Sequence, residues 1–244
     1  MKGSEGPVLI IGNSDGIGFA TTELLLSEGR TVLGLSRSSS MIDHQNYRHV
    51  ICDVTSERYL ATLEELGTTE PDLDTVIHCA GVGSGFDPTD LSGEQICFRT
   101  NLVSVVDLAA VFIPRWVEKG RGHLVVLSSI ADGFVVPDAP SYAASKAGLS
   151  RYLRGLGLAL KKQGVYVSNL RFGFVDTKMA QADVKPFEIT REKAAQIVVR
   201  SLMRKPTVWT RPRRAGALAA VLSIVQRVLL RIQAALGFDR PSAR

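Results

Sequence analysis

Tyr142 and Lys146 stand four residues apart in Ser141-Tyr142-Ala143-Ala144-Ser145-Lys146-Ala147-Gly148, a segment that reads as the start of a helix behind Pro140. That spacing puts both side chains on one helical face. A phenol left alone titrates near about pH 10, so a tyrosine that exchanges a proton at neutral pH needs a cation beside it to favour the phenolate. Lys146 is placed to be that cation. A surface helix carries such a pair by accident often enough that its meaning depends on its neighbours.

A second group with chemical potential is Gly12-Asn13-Ser14-Asp15-Gly16-Ile17-Gly18, between the apolar run Val8 to Ile11 and a helical pattern from Phe19 to Ser27 closed by Gly29. Backbone N–H groups at a helix start attract a pyrophosphate, and glycines let the main chain approach it closely. The pattern is G-x-x-x-G-x-G, not the G-x-G-x-x-G of the general dinucleotide fingerprint. A dinucleotide site is one reading and an ordinary strand-to-helix turn the other. The second strand ends at Ser36-Arg37 with no acid to take a ribose 2′-hydroxyl, which favours NADP over NAD because a guanidinium pairs with a 2′-phosphate. The competing reading makes Arg37 a solvated loop charge.

These residues need a scaffold, and the chain has the length for one domain with a buried core, at 244 residues with 45% apolar and 22% charged composition. Strand signals recur at Thr31 to Leu35, Tyr47 to Cys52, Leu73 to Cys79, His123 to Leu127 and Val165 to Leu170. Helical patterns lie at Glu57 to Leu66, Gly93 to Glu118 and Ser141 to Lys162. Such alternation predicts an α/β fold with a parallel sheet covered on both faces. Thr190 is a candidate N-cap for a helix through Met203, and Thr207 to Thr210 a last strand. Cys52, Cys79 and Cys97 are odd in number without C-x-x-C spacing, which favours neither a zinc site nor a secreted disulfide framework. The N-terminus shows no export signal, and the expected compartment is the reducing cytoplasm.

With these motifs in sequence order, the chain resembles the short-chain dehydrogenase/reductase family in its compact single-domain branch, from about Val8 to Thr210. Gly12, Gly16 and Gly18 match the cofactor glycines, and Asp53-Val54 the pair that contacts adenine. His78-Cys79-Ala80-Gly81 stands where the family has Asn-Asn-Ala-Gly. Asn101 matches the helix asparagine, and Ser129, thirteen residues before Tyr142, the catalytic serine.

The resemblance implies a doubly wound Rossmann-type sheet and hydride transfer between a nicotinamide and a carbonyl or alcohol carbon. Tyr142 would exchange the proton, Ser129 would hold the substrate oxygen, Lys146 would hold the nicotinamide ribose, and Asn101 would anchor a water. Cofactor contacts would come from Gly12, Asn13, Ser14, Gly16, Ile17, Gly18, Ser36, Arg37, Asp53, Val54, Ala80, Gly81, Tyr142, Lys146, Val175 and Thr177. No metal is expected. The family's habit implies a homodimer or homotetramer through the helices containing Asn101 and Tyr142. Three departures stand out: Ile11 replaces a threonine, Cys79 replaces the asparagine that braces the central sheet, and Phe172 replaces a proline and would line the nicotinamide pocket. The stretch Met179 to Glu188 is where substrate recognition is expected.

The net charge of +5 is unevenly spread: residues 200–244 hold ten Lys/Arg and one acid, leaving the rest at −4. This divides the chain into a catalytic domain, 1–210, and a basic tail, 211–244. From Ala215 to Leu236, Leu218, Val221, Leu222, Val225, Val228, Leu229 and Ile232 follow helical spacing. Arg227 and Arg231 interrupt the apolar run, which argues against a membrane span of about 20 residues. Contact of 211–236 with a membrane surface at its inner face, a lid over the active-site cleft and a subunit contact all stay open. Nucleic acid is not expected, since the tail lacks interleaved aromatics beyond Trp209 and Phe238. The rival functional class is a dinucleotide-binding regulator without catalysis; an epimerase or dehydratase would need a larger C-terminal substrate domain.

Overall fold

The computed structural model describes residues 6–83, 85–179 and 184–236. Seven strands form one sheet, β1 (Val8–Ile11), β2 (Val32–Ser36), β3 (Tyr47–Ile51), β4 (Thr75–His78), β5 (Gly122–Ser129), β6 (Val165–Phe172) and β7 (Val208–Arg211). Their order is β3-β2-β1-β4-β5-β6-β7 and every pairing is parallel. All residues of β1 and β2 are buried. Their unbroken apolar runs are what a strand covered on both faces requires, where an alternating pattern would leave one face wet.

Two apolar layers cover the sheet. On one face α2 (Arg58–Thr69), α4 (Ser104–Lys119) and α5 (Pro140–Leu160) contribute Tyr59, Leu63, Leu108, Phe112, Trp116, Leu149 and Leu153; on the other, α1 (Gly16–Ser27) and α6 (Arg191–Arg204) contribute Leu25, Leu26, Ala194 and Val198. Trp116 donates its indole N–H to the Leu73 carbonyl at 2.9 Å, fixing α4 at the lower edge of the sheet. The order reverses between β1 and β4, so the crevice at their C-terminal ends is where a doubly wound sheet binds its ligand.

Two elements differ from expectation in instructive ways. β4 stops at His78, because the backbone N–H groups of Cys79 and Ala80 both turn back to the Ile11 carbonyl, at 2.8 and 3.0 Å. The long helix expected from Gly93 to Glu118 is α3 (Ser92–Phe98) and α4 joined by a π-turn over Arg99–Val103. Thr190 does cap α6, its side chain accepting from the Lys193 N–H at 3.2 Å.

A last helix, α7 (Arg213–Leu236), packs against β7 and the short turn that follows β5. Ala215 and Ala219 are buried, and a Cβ on Gly216 would fall 2.6 Å from the Thr210 methyl, so small residues set the close approach. Further along, Gln226 accepts from the Val135 N–H at 2.7 Å and donates to the Val135 carbonyl at 3.0 Å. Leu218, Val221, Leu222, Val225, Val228, Leu229 and Ile232 are 39–57% exposed. Against expectation, Arg227 and Arg231 leave Arg213–Gln233 long and apolar enough to cross a membrane by length and composition.

Candidate active site

The glycine turn sits at the end of β1, where the chain must double back into α1. Gly12 takes φ +81°, and a Cβ there would lie 2.5 Å from the Ala80 nitrogen; a Cβ on Gly18 would lie 2.2 Å from the Gly12 carbonyl oxygen. Only bare backbone fits both places, and the result is a cradle in which α1 begins directly beneath the turn. Asp15 caps α1 through the Gly16 N–H at 2.7 Å and pairs with Lys178 at 2.7 Å. The hydrogen bond from Lys178, then that from Gly16, holds the Asp15 carboxyl below the usual carboxylate range. Thr177 touches this turn, its methyl 3.4 Å from where a Cβ on Gly16 would stand. A cleft of about 340 Å³ opens between Asp15, Gly16, residues 176–178 and residues 190–192.

The other predicted dinucleotide contacts surround the same crevice. Ser36 ends β2 with its hydroxyl donating to the Ser38 carbonyl at 2.8 Å, while Arg37 beside it is exposed. Asp53 closes the turn after β3, Oδ1 accepting from the Thr55 N–H and hydroxyl at 2.8 and 2.7 Å, and the Thr55 backbone bond holds its carboxyl low. Val54 packs against the core edge, and Val175 is buried between β6 and α6. Ser14 and Ile17 lie half-buried on the turn. Residues 85–86 and 135–138 face each other across a bond from the Phe86 N–H to the Asp138 carbonyl at 2.8 Å.

Ser129 ends β5 and Tyr142 lies in the first turn of α5, close enough for the Ser129 hydroxyl to act on the phenol. The Ser129 oxygen also accepts from the Ala131 N–H at 3.1 Å, which fixes its rotamer. Lys146 Nζ lies 5.8 Å from the Tyr142 ring centre and donates to the Leu127 carbonyl at 3.3 Å. Gly81 leaves room for this grouping, since a Cβ there would meet Asn101 Oδ1 at 3.3 Å and Lys146 Nζ at 3.5 Å. All four predicted catalytic side chains thus converge beside the glycine turn.

One expectation about them needs correction. Lys146 does not make the phenol acidic: burial raises the Tyr142 pKa, and only the Ser129 hydrogen bond opposes it. The ammonium itself is pushed down to about 8 by burial, with Cys97 and Asp132 opposing. Desolvation is the largest influence on both groups. The Asn101 side chain is held by the loop after β4. Its Nδ2 donates to the Val82 carbonyl at 2.8 Å and its Oδ1 accepts from the Val82 N–H at 2.9 Å. This amide clamp ties the π-turn to the loop after β4, and π-turns favour such functional positions.

The departures from the family pattern also resolve. Cys79 is inert, its thiol pushed up to about 12 by burial. The polar brace it lacks comes from His78, whose Nε2 meets the Ser104 hydroxyl at 3.1 Å while that hydroxyl donates to the Thr100 carbonyl at 2.7 Å. Nε2 therefore carries the proton, and burial pushes the ring down to about 3, so it stays neutral. Phe172 is buried in the apolar layer with Leu127, Val175 and Ala194, a place its large apolar ring favours. Of the expected recognition stretch, residues 180–183 lie outside the described residues.

An ion pair beneath the catalytic turn gave no sequence signal. Arg171 on β6 reaches both oxygens of Asp132, donating through Nε to Oδ2 at 2.8 Å and through Nη2 to Oδ1. Ser150 on α5 also donates to Asp132, and Asn169 donates to Ser150 at 3.0 Å. Asp132 lies in the short turn Ile130–Gly133 that starts at Ser129.

Comparison with known proteins agrees with this geometry. The sequence pattern of the short chain dehydrogenase family matches residues 7–186. The 3-ketodihydrosphingosine reductase of Bacteroides thetaiotaomicron is 26% identical over 231 residues, covering 90% of this chain and 83% of that protein. Among solved structures, a short-chain dehydrogenase from Streptomyces avermitilis superposes with TM-score 0.80 at 19% identity, covering 98% of this chain and 100% of the other. One from Sphingobium yanoikuyae, in complex with NADPH, gives 0.76 at 22% identity, covering 98% of each.

Proposed function

Because this chain belongs to the short-chain dehydrogenase/reductase family, and is thereby an NAD(P)-dependent oxidoreductase, we propose that it uses NADPH to reduce a lipophilic carbonyl compound. The observation that carries the chemistry is Tyr142 placed near the Ser129 hydroxyl with Lys146 Nζ 5.8 Å from its ring centre. The bound nicotinamide supplies the hydride. Tyr142, kept protonated by burial, gives its proton to the carbonyl oxygen, and Ser129 holds that oxygen in line. Lys146, anchored on the Leu127 carbonyl, holds the nicotinamide ribose and returns charge balance to the phenol.

The preference for NADPH is supported by Arg37 and Ser36 at the end of β2 without a neighbouring acid, and by the NADPH-bound Sphingobium relative in fold. A lipophilic substrate is supported by exposed Phe86 and Val135, on the two segments that meet beside Tyr142, and by the likeness to a 3-ketodihydrosphingosine reductase. The test is NADPH and NADH oxidation against a carbonyl panel that includes long-chain keto compounds. Turnover is expected with NADPH and the long-chain members; a chain that prefers short polar carbonyls or NADH would overturn the substrate and cofactor readings separately.

The active form requires a charged Lys146, whose ammonium is pushed down to about 8. A cation with a lowered pKa loses its charge as pH rises through that value, so kcat/KM for reduction is expected to decline above about pH 8 along a single-proton limb. A profile flat to about pH 10 would show that the ammonium is not needed.

The proposal extends to place: a cytoplasmic protein lying on the inner face of a membrane through α7, assembled as a homo-oligomer. Exposed Ile96, Phe98, Val103 and Val106 along α3, the π-turn and α4 suit coverage by a second copy. Ten basic side chains against one acid in residues 200–244, next to the exposed apolar side chains of α7, suit an anionic lipid surface. The full chain is expected to sediment with vesicles of mixed phosphatidylglycerol and phosphatidylcholine and to be released by salt. A Leu222→Glu, Val225→Glu variant should stay in solution; equal sedimentation of the two would remove the membrane assignment.

A further inference from the structure

A chain of polar groups runs beneath the glycine turn to the end of β2, and the hydride chemistry uses none of it. Asn13, fully buried, donates through Nδ2 to the Tyr47 hydroxyl at 2.7 Å. That hydroxyl is 2.7 Å from His49 Nδ1, and His49 Nε2 is 3.1 Å from the Ser38 carbonyl and 3.3 Å from the Ser36 hydroxyl. Because the Tyr47 oxygen accepts from Asn13, its own proton goes to Nδ1, and the ring carries its proton on Nε2. The donor end of the chain therefore emerges among Ser36 and Ser38.

The backbone is built to admit this chain. β3 pairs with β2 so that His49 stands beside Gly34, on the same sheet face as Ser36 two residues on. A Cβ on Gly34 would lie 2.3 Å from Asn13 Nδ2 and 2.4 Å from the Tyr47 oxygen. A side chain at Gly34 would expel both partners, and with them the support that orients the imidazole.

We infer that His49 is a further specificity-determining residue, which turns the Nε2–H now given to the Ser38 carbonyl onto the 2′-phosphate of NADP(H) from β3 while Arg37 reaches it from the end of β2. This rests on the reading of the chain as NADP-dependent. The groups around the ring are Ser36 and Ser38 from the end of β2, Tyr47 from its own strand and Asn13 from the glycine turn, all uncharged. Arg37 and, after β3, Asp53 border the region; His44 precedes the strand and accepts from the Asn46 N–H at 3.1 Å. Burial holds the free ring below its ordinary value, and only the Ser38 carbonyl opposes it. A phosphate dianion set against Nε2 favours the imidazolium, so binding draws a proton onto His49 and gains a charge-assisted hydrogen bond. Protonated Nδ1 then donates to the Tyr47 oxygen. The Tyr47 proton turns toward Asn13, whose Oδ1 is buried without a hydrogen-bond partner, once the amide rotates.

The test is calorimetric binding of adenosine 2′,5′-bisphosphate and of adenosine 5′-monophosphate to the full chain, from about pH 7 to about pH 8.5, in two buffers of different ionisation enthalpy. The bisphosphate is expected to bind with proton uptake and to weaken about tenfold across that range, while the monophosphate does neither. His49→Asn should abolish the uptake and flatten the dependence. If the wild-type chain takes up no proton, or His49→Asn takes up the same number, the inference falls while the NADP reading stands. If the bisphosphate binds no better than the monophosphate, the NADP reading itself falls. The wild-type measurement decides the matter even if the variant does not fold.

Discussion

Tyr142→Phe is expected to lower kcat for carbonyl reduction by about 10²–10⁴-fold, the usual effect of removing a positioned acid. Binding of NADPH should be unchanged, because the ring stays in place. Its edge packs where a Cβ on Gly83 would come within 3.3 Å, and a phenylalanine makes the same contact. Next to the hydroxyl is Ser129, whose oxygen keeps the Ala131 N–H. The melting temperature should therefore shift little, and a fluorescence titration with NADPH should overlay that of the wild type. Burial keeps the phenol protonated, so the loss reports the missing proton donor and not a missing charge. A dinucleotide-binding regulator would show no turnover in either protein, and full turnover in the variant would exclude Tyr142 as the acid. Steady-state kinetics with one active carbonyl and a binding titration on the same samples distinguish all three outcomes.

Much of this site could be read from sequence because its parts are local. A glycine turn between an apolar run and a helix is written in consecutive residues, and a spacing of four on a helix fixes a shared face. The buried strands β1 and β2 were legible for the same reason, since a strand covered on both faces is an apolar run. What escaped depends on the environment. Spacing placed Lys146 near Tyr142 but carried no measure of desolvation, which reverses the sign of the expected pKa shift. The π-turn around Asn101 follows from a clamp to Val82, nineteen residues earlier, and no helical periodicity encodes it. For α7 the apolar spacing was legible. Which side the protein covers was not, because small residues, Ala215 and Ala219, make the contact instead of the large ones.

Arg171→Leu is expected to destabilise the fold by about 3–5 kcal/mol, the cost of leaving one member of a buried ion pair without its partner. The Asp132 side chain is only 6% exposed, and both its oxygens are held by one guanidinium. After loss of Arg171, Ser150 remains as a donor, which cannot balance a full charge. At about 2–4 °C per kcal/mol for a chain of this size, the melting temperature should fall by roughly 6–20 °C. The mechanism makes a second demand. If the cost lies in the uncompensated carboxylate, Arg171→Leu combined with Asp132→Asn should be more stable than Arg171→Leu alone, since the second change removes the stranded charge. Simple additivity of the two losses would show instead that the pair acts only through packing. Activity in the folded fraction carries the functional consequence. Asp132 belongs to the turn whose first hydrogen bond fixes the Ser129 oxygen, and α7 rests on the same turn. Loosening it should lower kcat with little change in NADPH affinity, because the glycine turn and the end of β2 lie on the other side of the sheet's crossover point.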